Sequence, residues 1–115
     1  MSETLPTITD EHMGDMLGKT KSYTVVLLKK TTKYHEPDAP SVIFEHGRRN
    51  FALRAAGKLA IVCPVLDESE WSGVGIFDAD VDEVKRLYDA DPGVLAGIFT
   101  YEAHAVRSFP GDNLP

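Results

Sequence analysis

His46 stands in the stretch "IFEHGRRNFALRAAGK", Ile43 to Lys58, whose residue types read as a helix. At about 100° per residue, Val42, Ile43, His46, Asn50 and Leu53 fall within one arc, while Glu45, Arg48 and Arg49 point elsewhere. An imidazole on the side bound for the core needs either a structural partner or a job. In "DVDEVKRLYDAD", Val81, Val84, Leu87 and Tyr88 make the apolar stripe of a second helix, and Asp91 continues that stripe at helical spacing. With the two helices side by side, His46 and Asp91 occupy equivalent faces. A carboxylate beside an imidazole fixes its tautomer and stabilises its charged form, the arrangement that proton transfer requires. The structural alternative is that Asp91 caps the turn before Pro92 and that His46 bonds a backbone carbonyl.

Other chemistry is weaker. Cys63 lies in an apolar run with no basic neighbour in sequence to activate its thiol, so it reads as a small buried hydrophobe that lines a pocket at most. His12, His35, His46 and His104 are scattered, without the spacing of a zinc site, and no metal is expected. His104 follows Thr100 and Glu102 along one strand face, a solvated or interfacial polar stripe. Tyr34 and His35 sit in a loop that could close over a pocket but reads first as surface. "GVG" at Gly73 to Gly75 lacks the length and following helix of a phosphate loop. No Ser/His/Asp layout is readable.

The elements that must position these residues follow from local pattern. "YTVVLLKK", Tyr23 to Lys30, is a strand apolar on both faces. Pro37 and Pro40 interrupt the chain before the first helix, with Ser41 as its N-cap and Gly57 near its end. "LAIVCPVL", Leu59 to Leu66, is a second strand whose Pro64 marks an edge, bulge or exit, and "WSGVGIF", Trp71 to Phe77, is a third. There Gly73 and Gly75 let something approach the backbone. Asp80 followed by Glu83 resembles a capping box opening the second helix, which Pro92 and Gly93 stop. "LAGIFTYEAHAVRSF" supplies the last strand. Residues 1–20 read as a polar arm with a short helical turn around Glu11 to Leu17, residues 21–110 as one domain, and 111–115 as a tail.

The order β-α-β-β-α-β is that of an α+β, ferredoxin-like domain, an antiparallel sheet with both helices on one face. The other face is left bare, and its apolar residues imply a homodimer through the sheet.

Composition narrows the partners. Twelve basic residues against 18 acidic ones give a net charge of −6, which leaves no basic surface for a duplex, so nucleic acid is not expected as a partner. The longest strongly apolar run has eight residues and contains Pro64, well short of the roughly 20 needed to span a bilayer. No membrane association is expected. The start lacks the basic and then apolar layout of a signal peptide, and one cysteine permits no intrachain disulfide. The expectation is a soluble, cytoplasmic protein.

The sequence resembles the YciI-like (YCII-related) family of small ferredoxin-like proteins. The resemblance runs from about Tyr23 to Phe109 through "VVLLKK", "EHGRRNFALRAAGKLA", "CPVLD", "GIFDADVDEVKRLYDADP" and "AGIFTYEAHAV". It implies a dimeric α/β-barrel-like assembly with an active site centred on a histidine and an aspartate, carried onto His46 and Asp91. One branch of the family resembles a dehydrochlorinase acting on chlorinated hydroquinones. The family commonly has glycine before the proline where this chain has Cys63, which alters the pocket floor. "HAVRSFP" replaces the His-Pro and aromatics that end the family's closest branch, so the resemblance does not assign a role to His104.

The function expected is that of a small acid–base enzyme with lyase-like chemistry. His46 moves the proton, Asp91 orients it, and a small, partly apolar organic molecule lies near Cys63, Pro64, Trp71 and Tyr88. No cofactor is implied. The rival readings are a non-catalytic small-molecule-binding dimer and a structural module whose His/Asp pair is only a buried ion pair.

Overall fold

The computed structural model describes residues 4–115, so the first three residues of the expected arm lie outside it. Helix α1 spans Asp10–Leu17, with Thr9 accepting a bond from the His12 amide. It buries none of its residues. The radius of gyration, 17.2 Å, exceeds the ~13 Å typical of a domain this size, as an arm standing off the body would make it.

Four strands follow: β1 (Lys21–Lys30), β2 (Leu59–Pro64), β3 (Trp71–Phe77) and β4 (Phe99–Ser108). They form one antiparallel sheet in the order β2-β3-β1-β4. With helices α2 (Ala39–Ala55) and α3 (Val81–Asp89) crossing between strands, this is the ferredoxin-like α+β arrangement. Strand alternation separates the two faces. Thr24, Val26 and Leu28 turn under the helices and are buried with Leu59, Phe77, Val84, Tyr88 and Phe99. Tyr23, Val25, Leu27, Ile76 and Val106 lie on the opposite face, half-exposed.

Several boundaries differ from expectation. The first helix starts at Ala39, not after Ser41: Asp38 is its N-cap residue without a side-chain bond, Pro40 fits the first turn, and the Ser41 hydroxyl bonds back to the Asp38 carbonyl. Its end is as expected, with Gly57 at φ +76° just beyond it. Asp80 caps α3 by accepting from the Glu83 amide, but the Glu83 carboxylate bonds Lys58 at 2.8 Å and so ties the helix to the start of β2. Pro92 does end α3, yet it also opens a four-residue helix, α4 (Pro92–Leu95), which shortens the expected last strand.

Candidate active site

Asp91 is not on α3 as its spacing implies. A residue preceding proline is pushed out of the α region by the pyrrolidine ring. Asp91 accordingly adopts φ −70°, ψ 134° beyond the end of α3, and becomes the N-cap of α4. Its Oδ2 accepts from the amides of Gly93 at 2.9 Å and Val94 at 3.2 Å. From that position the carboxylate reaches His46 on α2, whose Nδ1 lies 2.9 Å from both Oδ1 and Oδ2. The two sequence readings of Asp91, turn cap and histidine partner, therefore hold together.

Burial makes the pair rigid. His46 is 7% exposed and Asp91 2%. An ionised carboxylate only accepts, so Nδ1 carries a proton, and in the neutral ring the lone pair is on Nε2. Asn50, one turn along α2, places its amide nitrogen 3.3 Å from Nε2, the longest contact in the cluster. The Phe99 ring packs on the imidazole with centroids 4.9 Å apart, and Tyr34 packs on Phe99 at 5.9 Å. Behind the site, the Arg49 guanidinium bonds the last-turn Leu87 carbonyl of α3 at 2.9 Å, joining the two long helices.

His46 and Asn50 line a cavity of about 290 Å³ between α2 and the sheet. Its walls include Val26, Leu28, Ile43 and Phe99, with Cys63, Pro64, Ser72, Gly73 and Gly75 on the β2–β3 side and Lys30 and Tyr34 from the β1 side. Asp91 stands behind the histidine and does not line the cavity. Cys63, Pro64 and Tyr88 also line it. The Cys63 thiol is exposed, not buried as its apolar neighbours imply. Burial foremost, and the Asp91 charge after it, hold the Tyr88 phenol well above its ordinary range against the opposing pull of Arg49. Tyr88 thus stays a neutral hydroxyl.

Trp71 does not join them. Strict alternation would put it on the face of Gly73 and Gly75, but the β1–β3 register shifts between Leu28 and Lys29, skipping Ser72. This bulge turns Trp71 toward Lys29, whose ammonium stands 5.7 Å from the indole, and leaves Ser72 at the cavity. Sequence reasoning ranked Tyr34 as surface and passed over Lys30, Asn50 and Phe99. Lys30 was legible: it extends the alternate row Val26, Leu28 onto the helix-covered face. Among the described residues no cluster of three or more histidine, cysteine or carboxylate groups could hold a metal ion, and no helix is long and apolar enough to cross a membrane.

No family model and no curated protein matches the chain. Among solved structures it is similar to 5-chloro-2-hydroxyhydroquinone dehydrochlorinase from Burkholderia phenoliruptrix AC1100, in complex with 2,5-dihydroxybenzoquinone. That alignment has a TM-score of 0.51 and 19% identity and covers 71% of this chain and 90% of the other. A dimeric protein of unknown function with a ferredoxin-like fold from Bacteroides fragilis NCTC 9343 aligns with a TM-score of 0.47 and 18% identity over 79% of this chain and 96% of the other.

Proposed function

We propose that the protein is a small acid–base enzyme of the YciI-like type, in which Nε2 of His46 takes a proton from one carbon of a small, partly apolar organic molecule and passes it to the departing group or to solvent. The observation that carries this reading is a histidine pinned through Nδ1 by a buried carboxylate at 2.9 Å while its ring lines a cavity. Asp91 holds the tautomer and balances the imidazolium as it forms. Asn50 restrains Nε2 only at 3.3 Å, so a substrate presenting an acidic proton displaces it at small cost. Lyase-like chemistry, with the proton leaving one carbon and a leaving group its neighbour, fits the family resemblance and requires no cofactor. The likeness to the dehydrochlorinase supports the fold and does not name a substrate.

The test has two steps. A panel of small organic molecules is screened by thermal stabilisation, because binding to the native state raises stability by mass action. Binders are then followed by NMR in deuterated water with the original protein and with His46→Ala. Deuterium entering a bound molecule, and no longer entering it in His46→Ala although the molecule still binds, is the expected result. Binding without exchange would make the protein a non-catalytic binding module instead. The purely structural reading has its own support, since Asp91 caps α4 whether or not His46 is present; it requires that no molecule occupy the cavity.

The same reading takes the protein as a cytoplasmic homodimer joined through the sheet face opposite the helices. Support comes from the row Tyr23, Val25, Leu27, Ile76 and Val106, which no helix covers. Such an interface would bury on the order of 1,200 Å² or more. A monodisperse monomer at micromolar concentration in light scattering would end the proposal.

A further inference from the structure

Among the described residues, Lys30 is the one strongly basic or acidic side chain lining the His46 cavity, and it forms no salt bridge there. Along β1 the alternate positions Val26, Leu28 and Lys30 share the helix-covered face, and the first two belong to the buried core. A lysine at the end of a buried row is unusual, because a half-buried ammonium loses hydration without gaining a counter-charge. Its contacts here are weak substitutes: the Ser69 carbonyl at 3.2 Å and the face of the Tyr34 ring at 5.1 Å. Among the described residues no carboxylate lies within ion-pair distance of it. Asp67 feels its charge only as the smallest of several influences, its carboxylate being engaged with Ser69.

We infer that the cavity selects a small planar organic acid bound as its monoanion, with the anionic oxygens on Lys30, the flat skeleton against Tyr34 and Phe99, and the reacting position toward His46. This deepens the acid–base reading and rests on it for the role of His46. A cation and an imidazole lining the same cavity divide the labour. Lys30 fixes the charged end of the ligand, and a hydrogen on the skeleton is left for Nε2. The Tyr34 ring, tilted toward Phe99 and under the ammonium, supplies an aromatic surface that a planar molecule can share. At about 290 Å³ the space sits at the low end of the ligand-pocket range of roughly 300–1,000 Å³. That favours a single-ring or shorter acid.

Three probes of one shape separate charge from size: benzoate, benzamide and benzylamine, titrated into the full chain by NMR at constant ionic strength. Benzoate is expected to bind at least tenfold more tightly than benzamide, and benzylamine not measurably, with shifts centred on Lys30, Tyr34 and His46. Lys30→Met, which keeps the aliphatic stem, should remove the preference for benzoate without weakening benzamide, and Lys30→Arg should retain it. Equal or tighter binding of benzamide, a preference unchanged in Lys30→Met, or no shift with any probe at millimolar concentration would overturn the inference. His46→Ala keeps the two ideas apart. It should leave the charge preference standing, so a failed proton-exchange test together with intact anion selection refutes the catalytic reading alone.

Discussion

Among the described residues are two histidine–carboxylate pairs of the same length in opposite settings. His46 and Asp91 meet at 2.9 Å with side chains 9% and 3% exposed, whereas His104 and Glu102 meet at 2.9 Å on one strand with side chains 57% and 56% exposed. Distance therefore says nothing about their worth. The exposed pair is shared with water, and pairs of that kind contribute roughly 0–1 kcal/mol. The buried carboxylate has three further constraints, two backbone amides and the turn forced by Pro92, so it cannot turn away from the imidazole. The contrast shows that orientation here comes from the surroundings of the pair.

Breaking the buried pair should give the largest effect. Asp91→Ala removes the partner of His46 and the cap of α4 together, and should cost on the order of 3 kcal/mol in denaturant unfolding. Once a substrate is known, His46→Ala should lose about 10²- to 10⁴-fold in the proton-transfer step, with a smaller loss of stability. A stability loss matched by no change in turnover would place the buried pair with the exposed one as mere structure.

The surroundings can be tested without touching either partner. A Cβ on Gly93 would lie 2.6 Å from Cδ2 of Phe99 and 3.1 Å from Oδ2 of Asp91, so Gly93→Ala must push the ring or the carboxylate aside. A cost of about 1–3 kcal/mol is expected, with reduced activity. A Cβ on Gly47, in the interior of α2 and on the cavity wall, meets nothing within 4 Å. Gly47→Ala should raise stability by roughly 0.5–1 kcal/mol, and a crystal structure or thermal melt of each variant would distinguish them.

A third, intermediate setting is the Tyr101 hydroxyl, which donates to Asp89 at 2.7 Å. Partial burial first, and then the Asp89 carboxylate, push its phenol up to about 12 from the ordinary 10.0. The protonated form is the one the fold favours. Its contribution is therefore whole below pH 10 and is lost as pH rises from 10 toward 12. Urea unfolding of Tyr101→Phe should show a shallower decline across that window, with the remaining slope belonging in part to Tyr88. An unchanged slope would mean that Tyr101 is not held protonated.

The smallest effects belong to the exposed regions. His104→Ala should change stability by about 0.5 kcal/mol or less. His104 pairs opposite Val25 on the bare sheet face, so a larger loss that grows with protein concentration would reveal burial in a dimer. Removing residues 1–19, which include the whole of α1, should shift the thermal midpoint little, because α1 buries none of its residues. A truncated chain that no longer folds or associates would show that the arm holds a second copy.

Much of the site could be read from the residues alone, for reasons of period. Helical spacing put His46 on the packed arc of α2 with Val42, Ile43 and Leu53, and the backbone follows that spacing. Strand alternation gave "YTVVLLKK" two apolar faces, and the order of elements permitted few arrangements besides the ferredoxin-like sheet. Local pattern is decisive wherever one neighbouring turn or pleat determines where a side chain goes. It failed where two local rules competed. Helical spacing placed Asp91 on the stripe of α3, but the steric demand of Pro92 took it out of that helix, and only tertiary packing of α4 against α2 returned it to His46. Alternation placed Trp71 beside Gly73, and a one-residue bulge at Ser72 reversed it. The company that Lys30 keeps was beyond local pattern as well, since Tyr34, Phe99 and His46 reach the same cavity from a short turn, a distant strand and a helix. Which atoms face one another across that space depends on long-range packing, whose contacts leave no period in the chain.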